Sequence, residues 1–536
     1  MKNNILARNY RGSTIISIFI LQILFFCGQG KTIAQENETI TIKGLRQHMD
    51  SIASDATEGR FTGSPGYRKA AQYAANIFRE AGLNPGYTNE KGEKSYFQPV
   101  PFIRYNYDPA SSITILKNGK NKTFCHSAGN FIILNPGIQN ENIPMASPAF
   151  IGYGINEPEL GWDDYTGVDV KGRWVIVLNG IPAADSMNPS FPDTLRKRYT
   201  DWKIRDSLKL HALTEHKAAG VILLPDKYAT DNWESTALQN YMYNYIHYAE
   251  ADINRKVSNE PVMPLVLLKA ELAQLLLSRQ SYDPMSHKGS YHSYILDNTE
   301  MYIAIDCKKE SVNCYNVVAV SPGTDSVLRK EYMTVGAHLD HLGKIGDHVY
   351  NGANDDASGC VIILEAAKAL ALNPPKRSVL CVLYTAEELS LIGSMHFVKN
   401  PPVPIGQISL NINIEQIGSK NRDYKGVWAI GSPQFKESFF KAGNSFVEAD
   451  FKFDPIESYL EALRGHVDLW SYYQKNIPAI MLSSGGFKDH HTPQDKIDLI
   501  DFDHLQFAAK LLYSFIIELG NEQPLIDTKK INKTDN

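Results

Sequence analysis

The chain has 536 residues, of which 43% are apolar, 21% charged and 10% aromatic, the make-up of a globular protein rather than a collagen, a coiled coil or a wholly disordered chain. At roughly 150 residues per domain, this length accommodates several domains, each able to bury a core without metals or disulfides as staples. Lys and Arg number 54 against 59 Asp and Glu, a net charge of -5, so no strong positive field invites nucleic acid or an anionic membrane.

Residues 1–34 carry Lys2, Arg8 and Arg11, then the apolar run Ile15 to Phe26, then Thr32-Ile33-Ala34, and read as a cleaved secretory signal. The run is about 12 residues, short of the ~20 a spanning helix needs. The expectation is an exported protein, periplasmic or extracellular, without stable membrane insertion. A lipid anchor on Cys27 is the lesser alternative, because Phe26 is bulky where a lipoprotein signal wants a small residue. Cys125, Cys307, Cys314, Cys360 and Cys381 are odd in number, which argues against a fully paired framework. Cys307 and Cys314 flank a polar turn and could pair, whereas Cys360 and Cys381 sit in apolar runs as buried thiols.

Apolar residues at helical spacing (Ala70, Tyr73, Ala74, Ile77, Phe78, Ala81) predict a helix over 66–81 that stops at Gly82. From Ser147 to Leu277 the pattern changes to strands and turns, with Trp174 to Leu178, a helical stretch ending near Ala219 and Val221 to Leu224, as in an inserted second domain. From Tyr315 on, short apolar strands alternate with helices: Val317 to Val320, Met333 to Ala337, helix Ser358 to Leu370, then Val379 to Leu383, Ile408 to Ile414 and Ala479 to Leu482. A closing helix carries Leu505, Ala508, Leu512, Phe515 and Leu519 on one stripe. This alternation implies an α/β fold with a mixed, largely parallel central sheet flanked by helices. The polar tail 521–536 is expected to be disordered.

Several strands run into residues that can bind metal. Met333 to Ala337 ends in His338-Leu339-Asp340, Val379 to Leu383 is followed by Glu387-Glu388, Ile408 to Ile414 ends at Glu415, and Ala479 to Leu482 precedes Asp489-His490-His491. Ligands of open α/β sheets bind outside the carboxyl ends of strands, so these groups are expected to share one crevice. Between the first two lies the turn-forming run Asn351 to Gly359, which can present Asp355 from a tight backbone. Each piece alone has an ordinary reading: His-x-Asp as core polarity, Glu-Glu as a solvated helix start, Asn-Asp-Asp as a turn or cap. Their joint order at strand ends is what points to a site. His341, His348 and His490 are read as bystanders, and Glu365 as facing solvent. Imidazoles with carboxylates and no thiolate suit zinc or a similar divalent ion, and the surplus of carboxylates calls for two of them. Two such ions suit hydrolysis.

At these residues the chain resembles the co-catalytic zinc aminopeptidase family, relatives of the glutamate carboxypeptidases, glutaminyl cyclases and transferrin receptor ectodomain. The resemblance rests on Gly336 to Asp340, Gly352 to Gly359, Ala386-Glu387-Glu388 with Leu391 to Ser394, and His491-Thr492 with Asp495; Glu58 to Gly66 looks like the family's opening segment. Gly152-Tyr153-Gly154, Asp163 to Tyr165 and Asp169 to Gly172 look like a β-rich protease-associated insertion. After the signal over 1–34, the resemblance implies a peptidase domain over 35–130 and 301–520, and that insertion over 131–300. It further implies that Asp355 bridges two zinc ions, with His338 and Glu415 on one and Glu388 and His491 on the other. Glu387 would be the general base, Asp340 would hold the His338 imidazole in the tautomer that leaves one nitrogen free for metal, and the Asp355-Asp356 peptide would be cis. Two positions depart from the pattern: Glu415 stands where Asp is common, and His490 where many relatives have Tyr.

The expected function is a zinc aminopeptidase acting on peptides. A glutaminyl cyclase, a carboxypeptidase-type activity on the same fold, and a receptor-like protein without catalysis are the alternatives. Oligomeric state is not legible.

Overall fold

A computed structural model describes residues 39–522 except 127–128, 135–140, 183–190, 238–239, 241–245, 250–262, 278–290, 346, 445 and 447–449. The expected signal with Cys27, and the tail from 523 on, lie outside the described residues. The chain divides into two compact units, one made of residues up to Val100 together with those from Asn313, the other Pro101–Val312. No described helix is long and apolar enough to cross a membrane.

The first unit is built on a mixed sheet of β1 (Cys307–Ser321), β2 (Tyr332–His338), β3 (Ser378–Tyr384), β4 (Ile408–Glu415), β5 (Val427–Gly431), β6 (Phe451–Pro455) and β7 (Ala479–Ser483). In space the order is β1-β3-β2-β4-β7-β5-β6. The steps β3-β2, β2-β4 and β4-β7 are parallel, while β1 and β5 join antiparallel. Nearly every residue of strands β2, β3, β4 and β7 is buried; β3 and β7 are apolar almost throughout, while β4 alternates Ile408, Leu410, Ile412 and Ile414 with Ser409, Asn411, Asn413 and Glu415. Helix α1 (Ile42–Ile52) is capped by Thr41, and α2 (Pro65–Ala81) by the Ser64 hydroxyl with Pro65 in its first turn. Helix α3 (Ser358–Leu372) is buried along almost its whole length, consistent with its apolar residues on all sides. Helix α4 (Leu469–Tyr473) packs on β7, and the closing helix α5 (Phe502–Asn521) packs on α3.

One expectation is corrected here, and the open question of a Cys307–Cys314 pair is answered. Glu365 on α3 is fully buried: its Oε1 lies 3.1 Å from His48 Nε2 and 2.5 Å from Lys368 Nζ, and its Oε2 accepts from Thr41 N–H. Helix α1 lies over it through Gly44, where any Cβ would come within 1.8 Å of that Oε1. Cys307 and Cys314 are buried and unbridged, since both lie in strand β1, where an extended chain at about 3.3 Å per residue holds them roughly 23 Å apart.

The second unit is β-rich, with a six-stranded and a four-stranded sheet. Trp174–Leu178 and Gly220–Leu224 run parallel in the first, and Trp174, Ile176, Leu178, Ile222 and Val266 lie in its buried core. All residues of the candidate site belong to the first unit.

Candidate metal centre

The parallel strands β2 and β4 end in His338 and Glu415, and the loop after β3 begins Thr385-Ala386-Glu387-Glu388. The loop after β7 carries His490 and His491. Because neighbouring parallel strands finish at one edge, four separate segments meet at one point. The fifth, Ala353 to Ala357, precedes α3 and is held by Asp495, whose carboxylate accepts from the N–H groups of Asn354 at 2.8 Å and Asp355 at 3.1 Å. The Asp355-Asp356 peptide is cis. Ala386, Gln416 and His491 all have left-handed backbones, with φ of 55°, 48° and 54°. Such strain in non-glycine residues costs about 1–3 kcal/mol each and clusters where a site demands it.

The Asp355 carboxylate lies at the middle. Its Oδ1 is 3.1 Å from His338 Nε2, and its Oδ2 is 3.3 Å from His491 Nε2. On the His338 side, Glu415 Oε1 lies 3.5 Å and Glu387 Oε2 3.9 Å from the same Nε2. On the His491 side, Glu388 Oε2 lies 3.1 Å from His491 Nε2. All five expected metal residues and Glu387 are thus brought together.

Asp340 meets His338 through its main chain. His338 Nδ1 pairs with the main-chain carbonyl of Asp340 at 3.0 Å, while the Asp340 carboxylate stands 3.9 Å away. That carboxylate instead accepts from Glu387 N–H at 3.1 Å and from Thr62 Oγ1 at 3.2 Å, so it positions the Glu387 backbone. Two histidines read as bystanders also face the site: His341 Nδ1 is 2.7 Å from Glu388 Oε1, and His490 Nε2 is 3.1 Å from Asp355 Oδ2. His348 is exposed in a hairpin.

Sequence reasoning missed two more residues. Asp468, fully buried immediately before α4, is pushed up to about 7 by burial and feels the charges of His338, Glu415 and Asp340. Its signal was a lone carboxylate in the apolar run Val467 to Tyr473. Arg60 is also fully buried, and its guanidinium donates to the carbonyls of Leu339, Asn351 and Gly352, behind the loops that hold the site.

Burial dominates the electrostatics, and the imidazoles answer it. Burial and the Asp355 charge oppose ionisation of Glu388, but hydrogen bonds with His341 and His491 outweigh them and hold it at about 2. Burial opposes protonation of His491, yet the carboxylates of Asp355 and Glu388 beside it raise it to about 10. Burial, together with the charges of Glu388 and Glu415, lifts Glu387 well above the usual carboxylate range. Asp355 Oδ2 is buried without a well-formed hydrogen bond. A buried acceptor left open among carboxylates and imidazoles is what a divalent cation with a taste for nitrogen and oxygen would complete, so the donor set fits one.

Residues 316–516 match the model of Peptidase family M28. Over 118 residues the chain is 34% identical to a probable leucine aminopeptidase 2 of Aspergillus oryzae, covering 22% of each chain. Over 177 residues it is 31% identical to leupeptin-inactivating enzyme 1 of Streptomyces exfoliatus, covering 31% of this chain and 38% of that one. The chain thus spans about a fifth to two fifths of the length of these curated relatives. An aminopeptidase from Aneurinibacillus sp. strain AM-1 superposes with a TM-score of 0.54 at 16% identity, over 92% of this chain and 97% of that one. A zinc aminopeptidase from Bacillus subtilis gives 0.53 at 16% identity, over 90% and 96%. At that identity the likeness is one of fold: a mixed α/β architecture shared across nearly the whole chain. Residues 316–516, the part of the chain that carries the site, are thus similar to Peptidase family M28, whose members are hydrolases.

Proposed function

We propose that this chain is an exported, zinc-dependent aminopeptidase that removes residues from the free amino end of peptides, with two cations on either side of Asp355. The observation that carries the reading is the Asp355 carboxylate itself, one oxygen facing His338 and the other His491, with Glu387 beside them. The names of the relatives and the zinc aminopeptidase likeness support zinc and the aminopeptidase assignment. Export is supported by the signal-like pattern of residues 1–34. Pro101–Val312 is read as containing the protease-associated insertion.

Bound cations would polarise the scissile carbonyl and make an attacking water more acidic. Glu387 takes a proton from that water as its oxygen adds to the carbonyl carbon, then delivers it to the amine as the C–N bond breaks. Asp340 and Thr62 fix the Glu387 backbone for both transfers. Burial gives the Glu387 carboxylate a high proton affinity, which suits a group that must accept a proton and then return it. The acidic crevice favours a substrate's α-ammonium group.

The test is hydrolysis of a small panel of peptides with free and blocked amino ends, before and after chelation and with zinc restored. Cleavage confined to free amino ends, lost on chelation and recovered with zinc, is the expected result. Equal cleavage of blocked peptides would overturn the aminopeptidase reading. Ammonia release from amino-terminal glutamine by a one-zinc protein would point to a cyclase instead.

A further inference from the structure

His341 closes the sequence His338-Leu339-Asp340-His341 at the end of β2 and is fully buried. Its ring stands against Gly352, where an added Cβ would lie 2.5 Å from ring Cδ2 and Cγ. The left-handed φ of +55° at Gly352 favours glycine for the same position, so sequence and backbone together make room for this imidazole. The ring is turned so that Nδ1 lies 2.7 Å from Glu388 Oε1 and 3.9 Å from Asp355 Oδ2. Glu388 offers its other oxygen to His491, 3.1 Å from Nε2, and the two imidazole rings stand 5.7 Å apart at 60° on either side of it. Ligand atoms from His341, Asp355, Glu388 and His491 all lie within 4.8 Å of one another. Ligand atoms around a tetrahedral zinc stand about 3.3 Å apart, given bonds of ~2.0 Å, and the measured separations bracket that value. The group on the other side of Asp355, formed by His338, Asp355 and Glu415, has three members.

We propose that His341 is a fourth protein ligand of the cation shared by Glu388 and His491, so that the two cation positions are unequal. Four side chains close the Glu388 position, while three leave the His338 position open on the side where Glu387 stands. Closed four-ligand zinc sites hold their ion structurally, and three-ligand sites keep room for water or substrate. The Glu388 position is therefore the one that retains its ion most firmly, and the His338 position is where exchange and chemistry occur. This inference rests on the two-cation reading above.

The test compares zinc-loaded wild-type protein with His341→Gln, which can still donate a hydrogen bond to Glu388 but ligates zinc poorly. Zinc-edge X-ray absorption counts coordinated imidazoles, and chelator competition gives the two affinities. Three imidazoles shared by two ions are expected in the wild type and two in the variant, with the tighter affinity reduced at least ~10-fold. An unchanged imidazole count on substitution would reduce His341 to a hydrogen-bond partner of Glu388 and overturn the proposal. If the variant does not fold, as judged by circular dichroism, the count is made in His490→Gln protein instead: three imidazoles there support the fourth ligand and two refute it. A wild type that takes up a single zinc defeats the two-cation reading instead, and the loss or retention of one imidazole in the variant still answers for His341.

Discussion

At the scale of single residues, Asp355 can face two cations because both of its oxygens are presented, one to each side, by a loop whose N–H groups are held by Asp495. Glu387 has a different task, which a substitution isolates. Glu387→Gln keeps shape and volume but cannot take a proton, so the variant should retain its zinc while turnover falls by about 10²-fold or more. Metal analysis beside steady-state kinetics checks this, and ordinary turnover in the variant would remove Glu387 from its role. The imidazoles supply a second prediction. In the metal-free protein Glu388 titrates at about 2, below its ordinary 4.5, and stabilises the fold above 4.5 but not once pH falls through 2. His491 titrates at about 10, above its ordinary 6.5, and stabilises the fold below 6.5 but not once pH rises through 10. The pair is therefore complete between about 4.5 and 6.5. Zinc needs the neutral ring, so uptake at pH 7.5 should release protons, and apparent affinity should rise towards pH 10. Calorimetric titration in buffers of different ionisation enthalpy measures that release; no buffer dependence would contradict it. Four of the ligand-type residues were legible because they stand at or after strand ends, and Asp355 because it lies in a turn-forming run that opens a helix. His341, His490 and Asp468 were not, because whether a loop imidazole or a buried carboxylate turns towards a neighbour depends on packing between segments far apart in the chain.

At the scale of elements, the segment Asp55–Arg60 and the first turn of α2 brace the loops that carry the site. Gly66 packs so closely that a Cβ there would meet the Thr57 carbonyl oxygen at 1.8 Å. Arg60 extends from this segment and donates to Leu339 O at 2.7 Å, Ile52 O at 3.2 Å, Asn351 O at 2.5 Å and Gly352 O at 3.0 Å. Arg60→Ala leaves four buried carbonyls short of a donor and should destabilise the first unit by about 3 kcal/mol or more. Arg60→Lys should recover only part, because an ammonium cannot reproduce the planar fork. Denaturant unfolding of both variants tests this, and a lysine variant as stable as wild type would deny the fork its importance. The resemblance marked Glu58 to Gly66 without giving it a task; its task is visible only once the carbonyls of Leu339, Asn351 and Gly352, more than two hundred residues away, are in place. Strand and helix identities in the first unit were legible because the runs are short, apolar and bounded by turn residues. Observed ends differ by a residue or two, as at Tyr332–His338 and Ser358–Leu372. Glu365 was misread because periodicity says nothing about a second helix laid across an otherwise apolar face.

At the scale of the whole molecule, the division into two units has a thermodynamic consequence. The core around Trp174, Ile176, Ile222 and Val266 consists wholly of residues between Tyr105 and Cys307, whereas the candidate metal residues all belong to the other unit. A ligand stabilises only the cooperative unit whose native state binds it. With free zinc at a thousand times its dissociation constant, each ion adds about 4 kcal/mol to the unit that holds it. For a unit of this size that corresponds to a shift in Tm of roughly 6–10 °C per ion. Removing the ions also exposes Asp355, Glu388 and Glu415 to mutual repulsion, which acts in the same direction. Scanning calorimetry should therefore show two transitions, of which chelation lowers one by several degrees and leaves the other in place. Glu387→Gln, which spares the ligands, should keep the zinc-dependent shift although it has lost activity. A single transition that moves as a whole on chelation would instead mean that the two units unfold as one, and that the cations at Asp355 stabilise the entire chain.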